Sequence, residues 1–355
     1  VYKRQVRHSA RRRDVSAPCR LGPAGCRDDR KDGVMDRFKN ILVVASPGHL
    51  EPTVLRAAVK LADTNRARLT VLDVMEPIAR MRRFATVGRR TVDVHAELLR
   101  HRSERLRLLT ENTRAGDGAE VEVLVGEPFI EVIGHVLEHD NDLVIVGGRE
   151  VENWATPEFP SGVMHLLRKC PVPVWVMRPP RSNDLRILAL VDPDPDDPVR
   201  DGLNDLVLSL ATSLVHREGG ELHVGHAWEL EGESTLRSSP YVRLPGEVVD
   251  VLSETAEGVH REELGALLER HQVGAGADVH LVEGHAGEVL PKLAKGLCAG
   301  LIVMGTVART GIAGFIIGNT AETILQSVHC SVLAVKPEGF VSPVKPAKEK
   351  AGARR

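Results

Sequence analysis

The chain has 355 residues, 42% of them hydrophobic and 27% charged, enough to bury a sizeable core and, on length, enough for two domains. No apolar run approaches the roughly 18 residues of a membrane-spanning helix, so no membrane partner is expected. Residues 1–34 carry ten Lys or Arg against four Asp, which leaves the remainder at net −8 and without the basic face that nucleic acid would need.

Residues 1–34 contain no apolar h-region and so do not read as a secretory signal, and their four Asp argue against an organelle transit peptide. They are expected to be a disordered leader or an extension preceding a start at Met35, with a basic arm for nucleic acid as the other reading. From Met35 a first domain is expected to run to residue 179. Its strands are read at 40–45, 68–74, 120–125, 142–146 and 173–178, and its helices near 52–65, 91–114, 128–139 and 161–169. A short linker, "RPPRSN", covers 178–183. The second domain, 184–337, is read with strands at 186–191, 221–227, 278–283, 300–304 and 331–336. Its helices lie near 198–217, 245–273, 287–297 and 319–328. Residues 338–355 are expected to be a disordered tail.

The two domains are copies of one pattern. Gly126 and Gly284 are 158 residues apart, as are Gly147 and Gly305, and Cys170 and Cys330 precede the last strand of each copy. Strands such as "ILVV", "LVIV" and "LIVM" are apolar throughout, so both faces need cover, which crossover helices on a parallel sheet supply. The fold class is therefore α/β: two tandem, doubly wound, parallel five-stranded sheets, expected to pack on each other because the linker is short. In the helix at 287–297, Val289, Leu290, Leu293, Ala294 and Leu297 form one stripe, read as core.

In such a sheet a ligand crevice lies beyond the carboxyl ends of the strands, between the first and the fourth. In the second copy Asp192 ends the first strand and Gly305 the fourth. The stretch "GTVARTGIAGFIIGNTAE" then leads into a helix whose free N–H groups suit an anion. A bland alternative is a capping box, with Asn319 as N-cap and Glu322 reaching back from N3.

His223 and His226 are three apart on a strand and face opposite ways, and no paired CxxC or HExxH occurs, so no metal is expected. "DPDPDDP" (192–198) lacks the central glycine and terminal Glu of a calcium loop and reads as a stiff, solvated loop. No nucleophile elbow and no Walker lysine is visible, so no catalytic residue is assigned. The five cysteines, Cys19, Cys26, Cys170, Cys298 and Cys330, form no even framework, which fits a reducing compartment, and they read as buried small hydrophobes.

Residues 36–345, and most sharply "LRKCPVPVWV" and "GTVARTGIAGFIIGNTAE", resemble the tandem-domain, E-type universal stress proteins. The resemblance implies an adenine nucleotide alpha-hydrolase-like fold, a cytoplasmic, non-enzymatic stress-response role, and two fused domains pairing as single-domain relatives pair between chains. It leaves a homodimer open. In nucleotide-binding members the loop reads G, two residues, G, nine residues, G, then Ser or Thr. Gly305 and Gly318 match, whereas Ala308 stands at the second glycine and Asn319 at the Ser or Thr.

Carried over, Asp192 would meet the adenine or ribose end of ATP or AMP, with Gly305, Ala308, Gly318, Asn319 and Thr320 around the phosphates. If residue 308 must be left-handed, alanine costs about 1–2 kcal/mol, which makes the site weak. In the first copy Ser46 replaces the Asp, and Glu150, Glu152 and Glu158 stand where phosphates would lie, so no nucleotide is expected there. Two other functions remain open: slow hydrolysis of ATP in the second copy, and a scaffold binding a small apolar ligand or a protein partner.

Overall fold

Alternation of short apolar runs with amphipathic helices organises the computed structural model of the chain, which describes residues 37–45, 51–78, 84–87, 90–112, 119–147, 159–178, 185–238, 244–273, 276–306 and 317–345. In the first repeat, β1 (Asn40–Ala45), α1 (Pro52–Asn65) and β2 (Arg68–Met75) are followed by a hairpin, β3 (Phe84–Val87) and β4 (Arg90–Asp93). Then come α2 (Val94–Asn112), β5 (Ala119–Val125), α3 (Pro128–His139), β6 (Leu143–Gly147), α4 (Ser161–Lys169) and β7 (Val174–Met177). The second repeat runs β8 (Arg186–Leu190), α5 (Pro198–Glu218), β9 (Glu221–Trp228), α6 (Glu233–Ser238), α7 (Gly246–Arg270) and β10 (Ala277–Glu283). It closes with α8 (Ala286–Gly296), β11 (Leu301–Gly305), α9 (Asn319–Ser327) and β12 (Ser331–Val335).

The strands join into one ten-stranded sheet, ordered β10-β9-β8-β11-β12-β7-β6-β1-β2-β5. Within each repeat the pairs of this sheet are parallel, while β3 and β4 form a separate antiparallel pair. The repeats meet where β12 pairs with β7 antiparallel, Val332 opposite Val176, Leu333 opposite Trp175 and Ala334 opposite Val174. The expectation that two sheets stack on each other is thus corrected: backbone hydrogen bonds continue one sheet through both repeats. The last strand of each repeat would otherwise be an unpaired edge, and edge-to-edge pairing removes both at once. Polar contacts lock this seam. Arg178 N–H donates to Ser331 Oγ at 3.0 Å, and Arg168 of α4 makes an ion pair with Glu322 of α9.

Two helical layers cover the sheet. One face carries Val54, Leu55 and Ala58 of α1, Leu106 of α2, Leu208 and Ala211 of α5 and Leu264 and Leu267 of α7. The other carries Ile133 of α3, Leu167 of α4, Leu290 and Ala294 of α8 and Leu325 of α9. The stripe expected on α8 is core: Leu290 and Ala294 are buried, with Val289, Leu293 and Leu297 packed beside them.

Three expectations need correction. The helix read from residue 91 begins at Val94, because Arg90–Asp93 pair as a strand with Phe84–Val87 and Asp93 Oδ1 accepts from the N–H groups of His95 and Ala96 as the cap. α6 was not foreseen. Of the three described cysteines only Cys170 is buried; Cys298 is exposed and Cys330 intermediate. The leader lies outside the described residues. After β12 the chain is described as far as Lys345, where Val344 packs on the second core face. Among the described residues no helix is long and apolar enough to cross a membrane.

Candidate functional site

The chain runs β8, β9, β10 outward in one direction and then crosses over to β11 and β12 in the other, so the strand order reverses between β8 and β11. These strands are parallel neighbours, Leu301 opposite Ile187 and Met304 opposite Leu190. Their carboxyl ends splay the loops apart and leave the crevice where the sequence places Asp192 and Gly305.

Asp192 is fixed by its backbone. Its N–H donates to Asn204 Oδ1 and its carbonyl accepts from Asn204 Nδ2, both at 2.9 Å, so the buried amide of α5 closes a two-point clamp. Its carboxylate is 3.5 Å from Arg200 Nη1. The same guanidinium lies 2.8 Å from Asp194 and 3.7 Å from Asp197. Asp197 also caps α5, accepting from Val199 N–H at 3.1 Å and Arg200 N–H at 3.2 Å, with Pro198 at the first helical position. The loop read as solvated is therefore organised by one arginine.

Behind Asp192, His226 Nδ1 lies 3.1 Å from the Val191 carbonyl and Nε2 3.0 Å from His260 Nδ1. A carbonyl only accepts, so Nδ1 of His226 holds a proton, and a neutral ring accepts at Nε2 from His260. Glu263 adjoins this pair. Burial, with Asp194, Asp196 and Asp192 adding to it and His260 opposing, holds its carboxyl above the usual range. This end of the crevice is acidic.

The other wall is built from β11 and α9. A Cβ on Gly305 would meet Leu203 Cδ2 at 2.4 Å, so the glycine lets α5 approach the strand end. Thr306 follows. Its carbonyl accepts from Gly318 N–H at 3.1 Å, which brings the start of α9 against the end of β11. Gly318 is the N-cap of α9 and no side chain among the described residues caps the helix, so the Asn319–Glu322 capping box does not form. Glu322 turns instead to Arg168 of the first repeat.

Beside Thr306, Lys336 is buried and donates to the Leu167 carbonyl at 2.8 Å and to Thr306 Oγ1 at 2.5 Å. Burial pulls its ammonium pKa down to about 8, with the neighbouring Cys170 acting in the opposite direction.

Asp192 thus stands at the end of β8, and Gly305, Gly318, Asn319 and Thr320 stand where the neighbouring β11 ends and α9 begins; Ala308 lies outside the described residues. Sequence reasoning did not single out Asn204, Arg200, Glu263 or Lys336. Only the Asp197–Pro198 cap left a readable signal. In the first repeat the reversal falls between β1 and β6, and Ser46, Glu150, Glu152 and Glu158 lie outside the described residues. His223 and His226 do face apart, His223 meeting His280 of β10 at 3.2 Å. Among the described residues no group of three or more His, Cys, Asp or Glu side chains could hold a metal ion.

Comparison with known proteins follows the same two-fold division. The sequence model of the universal stress protein family matches twice, over residues 37–178 and 186–336. Universal stress protein E of Escherichia coli K12 is 27% identical over 326 residues, 88% of this chain and 98% of its own. A universal stress protein of Methanocaldococcus jannaschii is 32% identical over 160 residues, 42% of this chain and 89% of its own, the length of one repeat. Among solved structures, a functionally unknown protein from Pseudomonas aeruginosa PAO1 superposes with a TM-score of 0.64 at 26% identity, covering 86% of this chain and 95% of that one. A universal stress protein from Archaeoglobus fulgidus shares the fold at a TM-score of 0.54 and 19% identity, covering 84% and 99%. With the family model matched in both repeats and the tandem relatives aligned along nearly their whole length, the chain belongs to the universal stress protein family.

Proposed function

We propose that this chain is a cytoplasmic, non-enzymatic stress-response regulator whose second repeat takes one adenine nucleotide, ATP or AMP, weakly, and whose first repeat takes none. The observation that carries this reading is the start of α9. No side chain among the described residues caps it, and the Glu322 carboxylate is drawn away to Arg168. An anion at that helix start would meet the N–H groups and the positive end of the dipole. Across the crevice Asp192 is clamped where a ribose or adenine donor would meet its carboxylate.

The acidic side of the crevice supports the orientation and the weakness. Asp192, Asp194 and Asp197 share one arginine there and Glu263 adds a carboxyl close to Asp192 and Asp194, so a phosphate chain is repelled from that end and belongs beside Gly305 and Gly318. The three described cysteines are free thiols, which accords with a reducing compartment.

Calorimetric titration of the full chain with ATP and with AMP tests the reading. At most one nucleotide per chain is expected, with Ala308→Gly tightening it roughly ten-fold and Asp192→Ala weakening it. Two equal sites, or no binding even in Ala308→Gly, would overturn it. Turnover that survives purification and is lost on changing one side chain would replace it by slow ATP hydrolysis.

A further inference from the structure

At the opposite end of the second repeat's strands, where β8 and β11 begin, a cavity of about 1110 Å³ opens between the two repeats. It is lined by α1, the end of β7, the start of β8, the end of α5, α8, and the segments entering β11 and β12. It is therefore separate from the crevice at the carboxyl ends of β8 and β11. The wall is aliphatic, with Val54, Leu61, Met177, Ile187, Leu214 and Leu301 on it. Trp175 is there too, its indole N–H buried without a hydrogen-bond acceptor among the described residues.

The charge around this cavity runs against that of the molecule. Residues 35–355 carry net −8, yet the described lining holds Lys60, Arg178, Arg186, Arg217, Lys292 and Lys295 against one carboxylate, Glu218. Glu218 is shared, 2.5 Å from Lys60 Nζ and 3.4 Å from Arg217 Nε. Lys295 has no ion-pair partner among the described residues. Arg186 also meets Glu221 at 2.9 Å and Lys292 lies 4.0 Å from Glu288, both carboxylates beside the lining, so six cations face three carboxylates; the rim keeps a net positive charge that suits an anion, and the hollow is larger than a small anion fills. Trp175 and His329 are the only aromatic rings on the described wall, which is otherwise aliphatic and cationic.

We propose that this cavity binds a single-chain amphipathic carboxylate of the fatty-acid class, its alkyl chain along the aliphatic wall and its head group at the cationic rim. Burial of the chain supplies the driving force and the rim selects the sign of the head.

The test is calorimetric titration of the full chain with decanoate, decanol and decyltrimethylammonium, all below their aggregation concentrations. One decanoate per chain is expected, decanol at least ten-fold weaker, and no saturable binding of the cation. Ala57 lies on the exposed side of α1 and lines the cavity, so Ala57→Trp obstructs the hollow without disturbing the core and should abolish binding. Lys60→Glu combined with Lys295→Glu, both exposed, should weaken decanoate several-fold and leave decanol unchanged.

A second readout fixes the location. Cys298 is exposed and lines the same cavity, so its alkylation, followed by peptide mass mapping, should slow several-fold when decanoate is present. Equal binding of decanoate and decanol, undiminished affinity in either variant, unchanged alkylation of Cys298 or no saturable binding at all would each overturn the proposal.

Discussion

The two repeats share a fold and a register but not a chemistry. Their common frame reaches into the backbone: Asp140 after α3 and Cys298 after α8, again 158 apart, both adopt left-handed φ, at 53° and 51°. The matched positions differ where the chain leaves the sheet. A Cβ on Gly305 would strike Leu203, whereas one on Gly147 would rest against Val54 at 3.6 Å, an ordinary contact. Lys336 at the end of β12 is buried on Thr306 and Leu167, while its counterpart Arg178 beyond β7 stacks over Phe159 at 4.6 Å. α5 is capped by Asp197, but α1 starts after Glu51 with no side-chain cap. A duplicated scaffold tolerates such drift at its strand ends because the sheet and its two helical layers carry the stability.

That division implies that the repeats stand or fall together at the seam. Val176 is fully buried opposite Val332, so Val176→Asp places a carboxylate where neither water nor a partner can reach it. The expected loss is more than about 4 kcal/mol. If one sheet couples the halves, urea unfolding of the variant should show the second repeat failing with the first. A second repeat that keeps its own unchanged transition would break the comparison, showing two independent domains that merely touch.

The next effect separates the matched cations. Lys336 has a folded pKa near 8 against 10.5 for an ordinary lysine, whereas the guanidinium of Arg178 keeps its charge at any ordinary pH. Between those two values the unfolded lysine holds its proton and the folded one has released it, so the unfolded state binds more protons and stability rises with pH. The penalty is fully present below pH 8 and relieved toward pH 10.5, about 3 kcal/mol over the window. Urea melts at pH 8 and pH 10 should show that rise in the parent chain and its absence in Lys336→Met. A parallel rise in both proteins would assign the effect elsewhere.

Much of this frame could be read from residues. Runs such as Ile41–Val44 and Leu301–Met304 announce two-sided burial, and the 158-residue spacing aligns the repeats before any coordinate is known. What the sequence hid is long-range and polar. Nothing local marks Arg168 as the partner of Glu322, and the capping box fails because the helix starts one residue early, with Gly318 and not Asn319 at the N-cap. Likewise Lys336 lies in a string, "AVKPE", whose neighbours do not show that the strand end turns inward onto Leu167. The β3–β4 hairpin was lost because Thr91, Val92 and Asp93 continue into a helical pattern, leaving no period to mark the change.

The caps give a smaller contrast. Asp197→Ala removes an acceptor serving two N–H groups and should cost about 1 kcal/mol. Glu51→Ala at the start of α1 should change stability by only a few tenths, since Glu51 makes no cap bond there. Equal losses in denaturant midpoint, at unchanged slope, would mean that the Asp197 bonds are not what stabilises α5.

The smallest effect bears most directly on the crevice. Gly305→Ala must push Leu203 aside, and Leu203 is only partly buried, so its end can yield; the cost should stay near the low end of overpacking, about 1 kcal/mol. Gly147→Ala meets Val54 at contact distance, and the backbone there is not left-handed, so alanine should be neutral or stabilise by a few tenths through the unfolded chain. Stability alone does not show what the glycine is for. If Gly305 only makes room for Leu203, Gly305→Ala combined with Leu203→Ala should recover much of the lost packing freedom and bind nucleotide as the Leu203→Ala variant does. If the glycine also keeps the strand end open to a phosphate, the double variant still lacks nucleotide binding in calorimetry while its melting matches that of Leu203→Ala. On the proposed reading, in which the first repeat takes no nucleotide, the same pair of measurements on Gly147→Ala should change neither quantity.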